Sequence, residues 1–526
     1  MTKALSVILS VLIIIMAVFT GCSDKTTADS ADYYFNGEGK NVDIRFGVKG
    51  NSNLFEPGST ISVVIECNDK SLADTVAEVT VSNKNLGYSE KKQITFESGK
   101  KSYALDFVSG ANGVYNVTIK VNKGIQGRFN VAVLPKNEKA SSDFYYGIQP
   151  YLMRAYAWGS GSCIPNCDSE KTIELILNAA EYLGVNLVRE DMIGWAIMQS
   201  GEGKQCRFNE QDYLVEKVTE RGMIYNWILG NNAGKWSINK NYASDYNKDK
   251  LWAYAPDEQL WEEYVSQLAE HYADNEQILW EIWNEPNWEF FIGTQEEYFT
   301  LLENTAKILK NKNPDAYVYT GGLAVAERAA NTPYYEKSAE LIENGLLDNY
   351  GYHNHDPIDS YYGNMSQMLK LTKDAGLTAG GINSESGIYG VDAATIACKA
   401  LYTRSVGGDG YVSFAFRKTV QGENNINDYA FFDEYLQPTD AVVSYATVIR
   451  FLGQAKLVNN LSNNRDLVID EYQKDGKKIL VYYALGGVSE EPLPEGNYTV
   501  YDMYGNETTL TDSIKVTNKP IYFIFD

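Results

Sequence analysis

The sequence predicts an α/β protein: a (β/α)8 TIM barrel flanked by an N-terminal β-sandwich and a small C-terminal β-domain. Three observations carry that expectation. Residues 143–455 alternate short apolar runs with stretches of helical periodicity. Residues 41–135 alternate apolar and polar positions with a period of two, and the same period returns over 456–526.

Taken in order, residues 1–22 begin with Lys3, continue through an apolar run from Leu5 to Phe19 and end on Thr20-Gly21-Cys22. The run is shorter than the roughly 20 residues that span a bilayer. It resembles a bacterial lipoprotein signal, which implies cleavage before Cys22 and lipidation of that thiol. Residues 23–40 read as a polar tether. The expected mature protein is extracytoplasmic and touches the membrane through its lipid anchor alone.

Residues 41–135 contain Ile61–Ile65, Ala77–Val81, Ser102–Phe107, Tyr115–Val121 and Phe129–Leu134, separated by turn signals such as Glu56-Pro57-Gly58. Short strands at this spacing predict an immunoglobulin-like sandwich. No row of exposed aromatics stands out, which favours a spacer over a carbohydrate-binding module. In the barrel region the candidate strands are 144–149, 186–190, 223–229, 277–283, 316–320, 349–353, 380–384 and 410–416. Between them lie helical patterns such as Ile173, Ile176, Leu177, Ala180 and Leu183. Repeated strand–helix units point to a closed barrel. A doubly wound open sheet would want a Gly-rich phosphate turn after its first strand, and Gly147-Ile148-Gln149-Pro150 is not one.

Composition narrows the partners. A formal charge of -23 argues against nucleic acid, anionic membrane and strongly anionic substrates. The 39 Tyr and 9 Trp suit surfaces on which sugar rings stack, although most will populate strands and cores. Cys163-Ile164-Pro165-Asn166-Cys167 resembles a metal half-site, but the chain holds 3 His and no matching second pair. In an oxidising compartment a loop disulfide is the expectation there, with Cys206 as a third claimant. No metal and no cofactor is called for.

The candidate chemistry centres on Trp280-Glu281-Ile282-Trp283-Asn284-Glu285-Pro286-Asn287. An apolar strand ends at a carboxylate because Pro286 cannot donate to a ladder and restrains the residue before it. Burial there raises a carboxyl pKa, as a general acid near neutrality requires. Glu385, in Gly380-Gly381-Ile382-Asn383-Ser384-Glu385-Ser386-Gly387, closes the seventh candidate strand. Together the two stretches resemble the acid/base and nucleophile motifs of clan A glycoside hydrolases, the retaining barrel enzymes, nearest to families thirty-nine and five.

That resemblance implies a retaining glycosidase acting on a neutral, β-linked glycan, with Glu285 as acid/base and Glu385 as nucleophile. It further implies that Arg189 keeps the nucleophile ionised, that Asn284 bonds a sugar 2-hydroxyl, and that His353 takes the strand-six position. Two places depart from the family pattern. His355 stands where a Tyr is usual, leaving Tyr352 or His355 to orient the nucleophile. Strand eight carries Phe414 and Phe416 in place of a Trp floor. Trp195 and Trp288, with Trp158, Trp236, Trp252 and Phe290, are candidates for stacking on sugar. Glu281 is expected inside the barrel, paired with a cation such as Arg189, while Glu190 and Asp191 are reserve carboxylates. The rival reading on the same scaffold is a non-catalytic glycan-binding surface lipoprotein.

Overall fold

The computed structural model describes residues 33–38, 43–50, 52–121, 124–141, 143–230, 232–244, 246–419 and 427–526. The signal segment, Cys22 and most of the expected tether lie outside the described residues.

Eight parallel strands form the central sheet: Tyr145–Ile148, Leu187–Arg189, Ile224–Leu229, Ile278–Ile282, Tyr317–Thr320, Gly351–His353, Ile382–Ser386 and Gly410–Ser413. Numbered one to eight, they lie in the order five-four-three-two-one-eight-seven-six. Bridges from Tyr319 to Asn349 and from Leu323 to Tyr352 close the seam between five and six. Outer helices follow them in turn: Ser169–Leu183, Asn209–Thr219, Glu258–His271, Gln295–Lys312, Thr332–Glu343, Ile358–Asp374, Ala393–Ser405 and Asp440–Leu452.

The helices start where the chain supplies caps. The Asp168 side chain accepts from Lys171 N, and Thr294 and Glu297 form a reciprocal capping box. Helix Ala393–Ser405 is buried on every face. Its small, mixed residues fit a helix covered on both sides, here by the barrel sheet and by the C-terminal domain.

The barrel interior is layered. Leu187, Leu279, Tyr319, Ile382 and Val412 form an apolar cluster across it. Two residues further along three of these strands the inward positions turn polar, with Arg189 after Leu187, Glu281 after Leu279 and Ser384 after Ile382. Chemistry therefore begins one layer above a dry floor.

The N-terminal sandwich packs one sheet of Tyr33–Glu38, Ile44–Lys49, Thr60–Cys67 and Ser102–Val108 against a second of Leu54–Phe55, Gly124–Val133, Gly113–Val121, Val76–Asn83 and Tyr88–Thr95. Val63, Val79, Phe107, Val117 and Val131 fill the space between them. The expectation of a tether over 23–40 fails at its end, because Tyr33–Glu38 pairs antiparallel with Ile44–Lys49. The aromatic, β-favouring stretch Tyr33-Tyr34-Phe35 explains the strand, and Tyr34 is buried.

The sandwich is stitched to the barrel. Asn36 and Asn53 exchange reciprocal side-chain hydrogen bonds of 2.7 and 2.8 Å, and Asn53 Nδ2 also donates to Leu436 O at 2.9 Å. Tyr34 Oη donates to Tyr435 O at 2.6 Å, and Gln437 Nε2 to Asn36 O at 3.1 Å. These partners belong to the segment that follows strand eight. The C-terminal sheet runs Lys456–Asn464, Leu467–Lys474, Lys477–Tyr483, Ile521–Phe525, Tyr498–Tyr501 and Glu507–Thr508. It is tied to helix Ala393–Ser405 where Ser405 Oγ donates to Asp470 at 2.7 Å. Asn112 Nδ2 joins sandwich to C-terminal domain through the Tyr504 and Gly505 carbonyls, each at 3.0 Å.

The expected loop disulfide is absent among the described residues; Cys163 Sγ lies 3.9 Å from Ala155 O and 3.8 Å from Ser169 Oγ.

Candidate active site

Strand four ends at Ile282, and the next turn lifts Glu285 to the barrel mouth. Trp283 and Glu285 take φ values of 71° and 42°, a region that non-glycine residues seldom enter. Three bonds hold the turn there. Trp283 N donates to Leu229 O at 2.6 Å, its indole Nε1 to Phe290 O at 2.7 Å, and Glu285 N to Gly322 O at 3.1 Å. Glu285 is buried to 7% exposure, and its Oε1 lies 2.8 Å from His353 Nδ1. Gly322 makes this approach possible, since a Cβ there would stand 2.1 Å from His353 Nε2.

Strand seven brings Glu385 to the same mouth by an irregularity. Its register against strand six pairs Asn383 with Tyr352 and Glu385 with His353, skipping Ser384. The bulge lets two consecutive side chains face inward. Ser384 Oγ donates to Glu281 Oε1 at 3.2 Å, and Glu385 Oε2 accepts from Arg189 Nη1 at 2.8 Å.

Arg189 is the hub and is fully buried. Its Nε and Nη2 grip Glu281 at 2.7 and 2.9 Å; Nη1 also reaches Gln149 Oε1, and Nη2 reaches Asn284 Oδ1, both at 2.8 Å. Glu281 further accepts from Asn226 at 2.9 Å and from the Tyr319 hydroxyl at 2.7 Å. Burial pushes the Glu281 carboxyl upward, but the Arg189 guanidinium outweighs it and holds the group below the usual carboxylate range. The same contest is settled the same way at Glu385. Burial raises it, while the field of His353, the hydrogen bond from His355 and the Arg189 charge together hold it well below that range. His355 Nε2 lies 3.3 Å from Glu385 Oε1.

A cleft of about 630 Å³ opens over these groups. Glu285, His353, His355 and Glu385 form its chemical face, and Trp288, Phe290, Phe414 and Tyr429 are its aromatic lining. Asp356 also lines it, with Oδ2 accepting from Asn364 Nδ2 at 2.9 Å. Among the described residues, no group of three His, Cys, Asp or Glu is disposed to hold a metal ion.

The structure thus brings together Glu285, Glu385, Arg189, Asn284, His353 and His355, with Trp288 on the rim at 58% exposure. Three expected substrate contacts lie elsewhere. Tyr352 points away from the mouth, buried beside Tyr350; alternation along strand six sends His353 inward and Tyr352 out, so His355 is the residue on Glu385. Trp195 is fully buried, stacked on Tyr264 at 4.9 Å and edge-on to Trp236 and Trp261. Phe416 is equally buried against Phe432, and Phe414 takes the cleft position. Gln149, Tyr319, Ser384 and Tyr429 were not singled out from the sequence. Alternation along strands one and five places Gln149 and Tyr319 inward, whereas nothing local signals the bulge at Ser384. Of the reserve carboxylates, Glu190 is turned away, accepting from Leu152 N at 3.0 Å and Met153 N at 3.2 Å, and Asp191 pairs with Arg154.

Residues 159–377 match the family model described as cellulase (glycosyl hydrolase family 5). No curated protein matches the chain. Among solved structures, a family 39 glycoside hydrolase from the gut symbiont Bacteroides cellulosilyticus WH2 is similar at TM-score 0.66 and 14% identity, covering 91% of this chain and 99% of its own. A GH30 endoxylanase from Clostridium papyrosolvens C71 gives TM-score 0.47 and 13% identity over 74% of this chain and 98% of its own. With a closed eight-stranded barrel, a glycosyl hydrolase family match across strands two to six, and glutamates at the mouths of strands four and seven, the chain is an O-glycosyl hydrolase of the clan A type.

Proposed function

We propose that the protein is a retaining glycosidase that cleaves a neutral, β-linked glycan by double displacement. One observation carries the reading: two carboxylates share a cleft in unlike settings. Glu385 is held ionised by the field of His353, the hydrogen bond from His355 and the Arg189 charge, whereas Glu285 faces His353 and, among the described residues, has no arginine or lysine bonded to it. Such a split suits an attacking carboxylate and a proton donor. Glu385 attacks the anomeric carbon while Glu285 gives its proton to the departing oxygen. Glu285, now ionised, takes a proton from the water that then displaces Glu385, and the anomeric configuration is kept. Asn284 Oδ1 is occupied by Arg189, which leaves the Nδ2 amide for a sugar hydroxyl.

The negative chain charge supports a neutral substrate, as does a cleft in which the Glu327 and Asp356 carboxylates outnumber the Arg328 cation. The lipoprotein-like segment ending at Cys22 supports an extracytoplasmic, lipid-anchored enzyme; a Cys22→Ala chain released from the membrane fraction is the expected result, and one that stays bound refutes the anchor.

The decisive experiment replaces the nucleophile. Glu385→Ala is expected to lose on the order of 10⁴ in kcat on an aryl β-glycoside, with azide restoring turnover and giving a glycosyl azide of inverted configuration. Undiminished activity in that variant, or an inverted sugar product from the wild type by NMR, overturns the reading.

A further inference from the structure

Lys399 lies on helix Ala393–Ser405 and is fully buried, yet no carboxylate lies within ion-pairing distance of it among the described residues. Its Nζ donates to Gly387 O at 2.7 Å and reaches Asn354 O at 3.4 Å. The amine also sits 5.1 Å from the centre of the Tyr361 ring. An ammonium taken from water without a counter-charge is expensive, and an apolar residue of similar length would avoid that cost.

The two carbonyls explain its placement. Asn354 immediately precedes His355, and Gly387 lies two residues past Glu385. The two segments are already laced together, with Asn354 N donating to Glu385 O at 3.2 Å and Ser386 Oγ to Asn354 O at 2.6 Å. Lys399 adds a bond to each segment from the helix behind them. The segments it joins carry the two ends of the 3.3 Å contact between His355 Nε2 and Glu385 Oε1.

We infer that Lys399 is a positioning residue, a strap that fixes the strand-six and strand-seven ends so that His355 stays against Glu385. Burial pushes its ammonium down to about 7, opposed by a weaker upward pull from Asp356. The inference rests on the nucleophile reading above.

The test is Lys399→Met, which keeps length and removes the donors. Glu385 faces Arg189 from strand two, Glu285 from the turn after strand four, His353 from strand six, His355 just past that strand, and the Tyr151 and Tyr429 phenols. Of these, His355 is the one the strap holds in place. Loosening it weakens one of the bonds that keep Glu385 ionised, so the acid limb of kcat/KM should move up by about one pH unit. In the same variant kcat should fall about ten- to a hundredfold while KM changes little. A purely structural lysine would lower the melting temperature and leave the acid limb where it is. If Lys399→Met does not fold, Ser386→Ala removes the other side-chain donor to Asn354 O, and the limb should move the same way by less.

Labelling with a 2-fluoroglycoside separates the two ideas. Wild type labelled at Glu385, with the acid limb unmoved in Lys399→Met or in its substitute, overturns the strap alone. Wild type that is not labelled at Glu385 overturns the nucleophile reading and the strap with it.

Discussion

Ser384 and Glu385 are neighbours in the chain, and both turn their side chains into the barrel, one to Glu281 at 3.2 Å and the other to Arg189 at 2.8 Å. A regular strand would send the second toward the outer helices. The extra residue in strand seven re-aims Glu385, and the Arg189–Glu281 pair receives it. Backbone irregularity, buried charge and the candidate reaction thus meet at one point.

Glu285 is expected to act only where a leaving group needs a proton. Glu285→Ala should cost about 10²–10⁴ in kcat/KM on alkyl or oligosaccharide substrates and far less on dinitrophenyl glycosides. Parallel kinetics on the two substrate types check it, and equal loss on both would remove Glu285 from the acid role.

Gly322 is expected to tolerate no side chain. In Gly322→Ala the new Cβ meets His353 Nε2 at 2.1 Å and Ser384 Oγ at 2.7 Å, so His353 must leave Glu285 or the strand must shift. A stability loss of about 1–3 kcal/mol is expected from such overpacking, accompanied by a fall in kcat. Unfolding and steady-state assays of one preparation read both, and wild-type kcat would show that the His353–Glu285 contact is dispensable.

Arg189→Met should expose the cost of the buried carboxylate beneath it. The folded pKa of Glu281 is lowered, so its contribution to stability is present above the ordinary carboxylate range and is lost as pH falls through the folded value. Without Arg189, burial instead favours the protonated form of Glu281. The variant should lose about 3–5 kcal/mol at neutral pH, and the deficit should shrink in mild acid as Glu281 takes a proton. Urea denaturation at pH 7 and pH 5 measures this, and a deficit independent of pH would mean that Glu281 carries no stranded charge.

Two tryptophans should separate binding from folding. Trp195, fully buried among aromatic rings, should cost about 3–5 kcal/mol of stability as Trp195→Ala. Trp288, exposed on the cleft rim, should fold normally as Trp288→Ala and raise KM about three- to tenfold, as loss of a ring contact of about 0.5–1.5 kcal/mol implies. Reversed outcomes would place the sugar elsewhere.

The barrel was legible because periodicity is a local property. Apolar runs such as Ile278–Ile282 and faces such as Ile173, Ile176 and Ala180 announce strand and helix without tertiary information. The two mouth glutamates were legible through their motifs: Glu285 follows a strand-like apolar run and precedes Pro286, and Glu385 closes a candidate strand just before Gly387. Aromatic roles were not legible in the same way. Trp195 and Trp288 are chemically identical, and whether a ring meets sugar or core depends on which loop covers it. Tyr352 and Phe416 failed for a related reason: a shift of one position changes the face of the strand, and near a bulge the parity cannot be counted from sequence. The strand Tyr33–Glu38 was hidden because its partner, Ile44–Lys49, lies across a Gly- and Asn-containing stretch that reads as linker.

The lacing between the sandwich and the segment 433–438 bears on how the enzyme can be dissected. That segment continues from Tyr429, whose carbonyl accepts from Ala415 N at 3.2 Å beside Phe414, so the cleft's aromatic wall and the amino-terminal sheets share one piece of backbone. A fragment cut at residue 136 would retain Glu281, Glu285 and Glu385 yet strip Asn36, Asn53 and Tyr34 from Leu436 and Tyr435. Removing the leading sheets would therefore leave the segment beside the cleft's aromatic wall without the hydrogen bonds that Tyr34 and Asn53 give it.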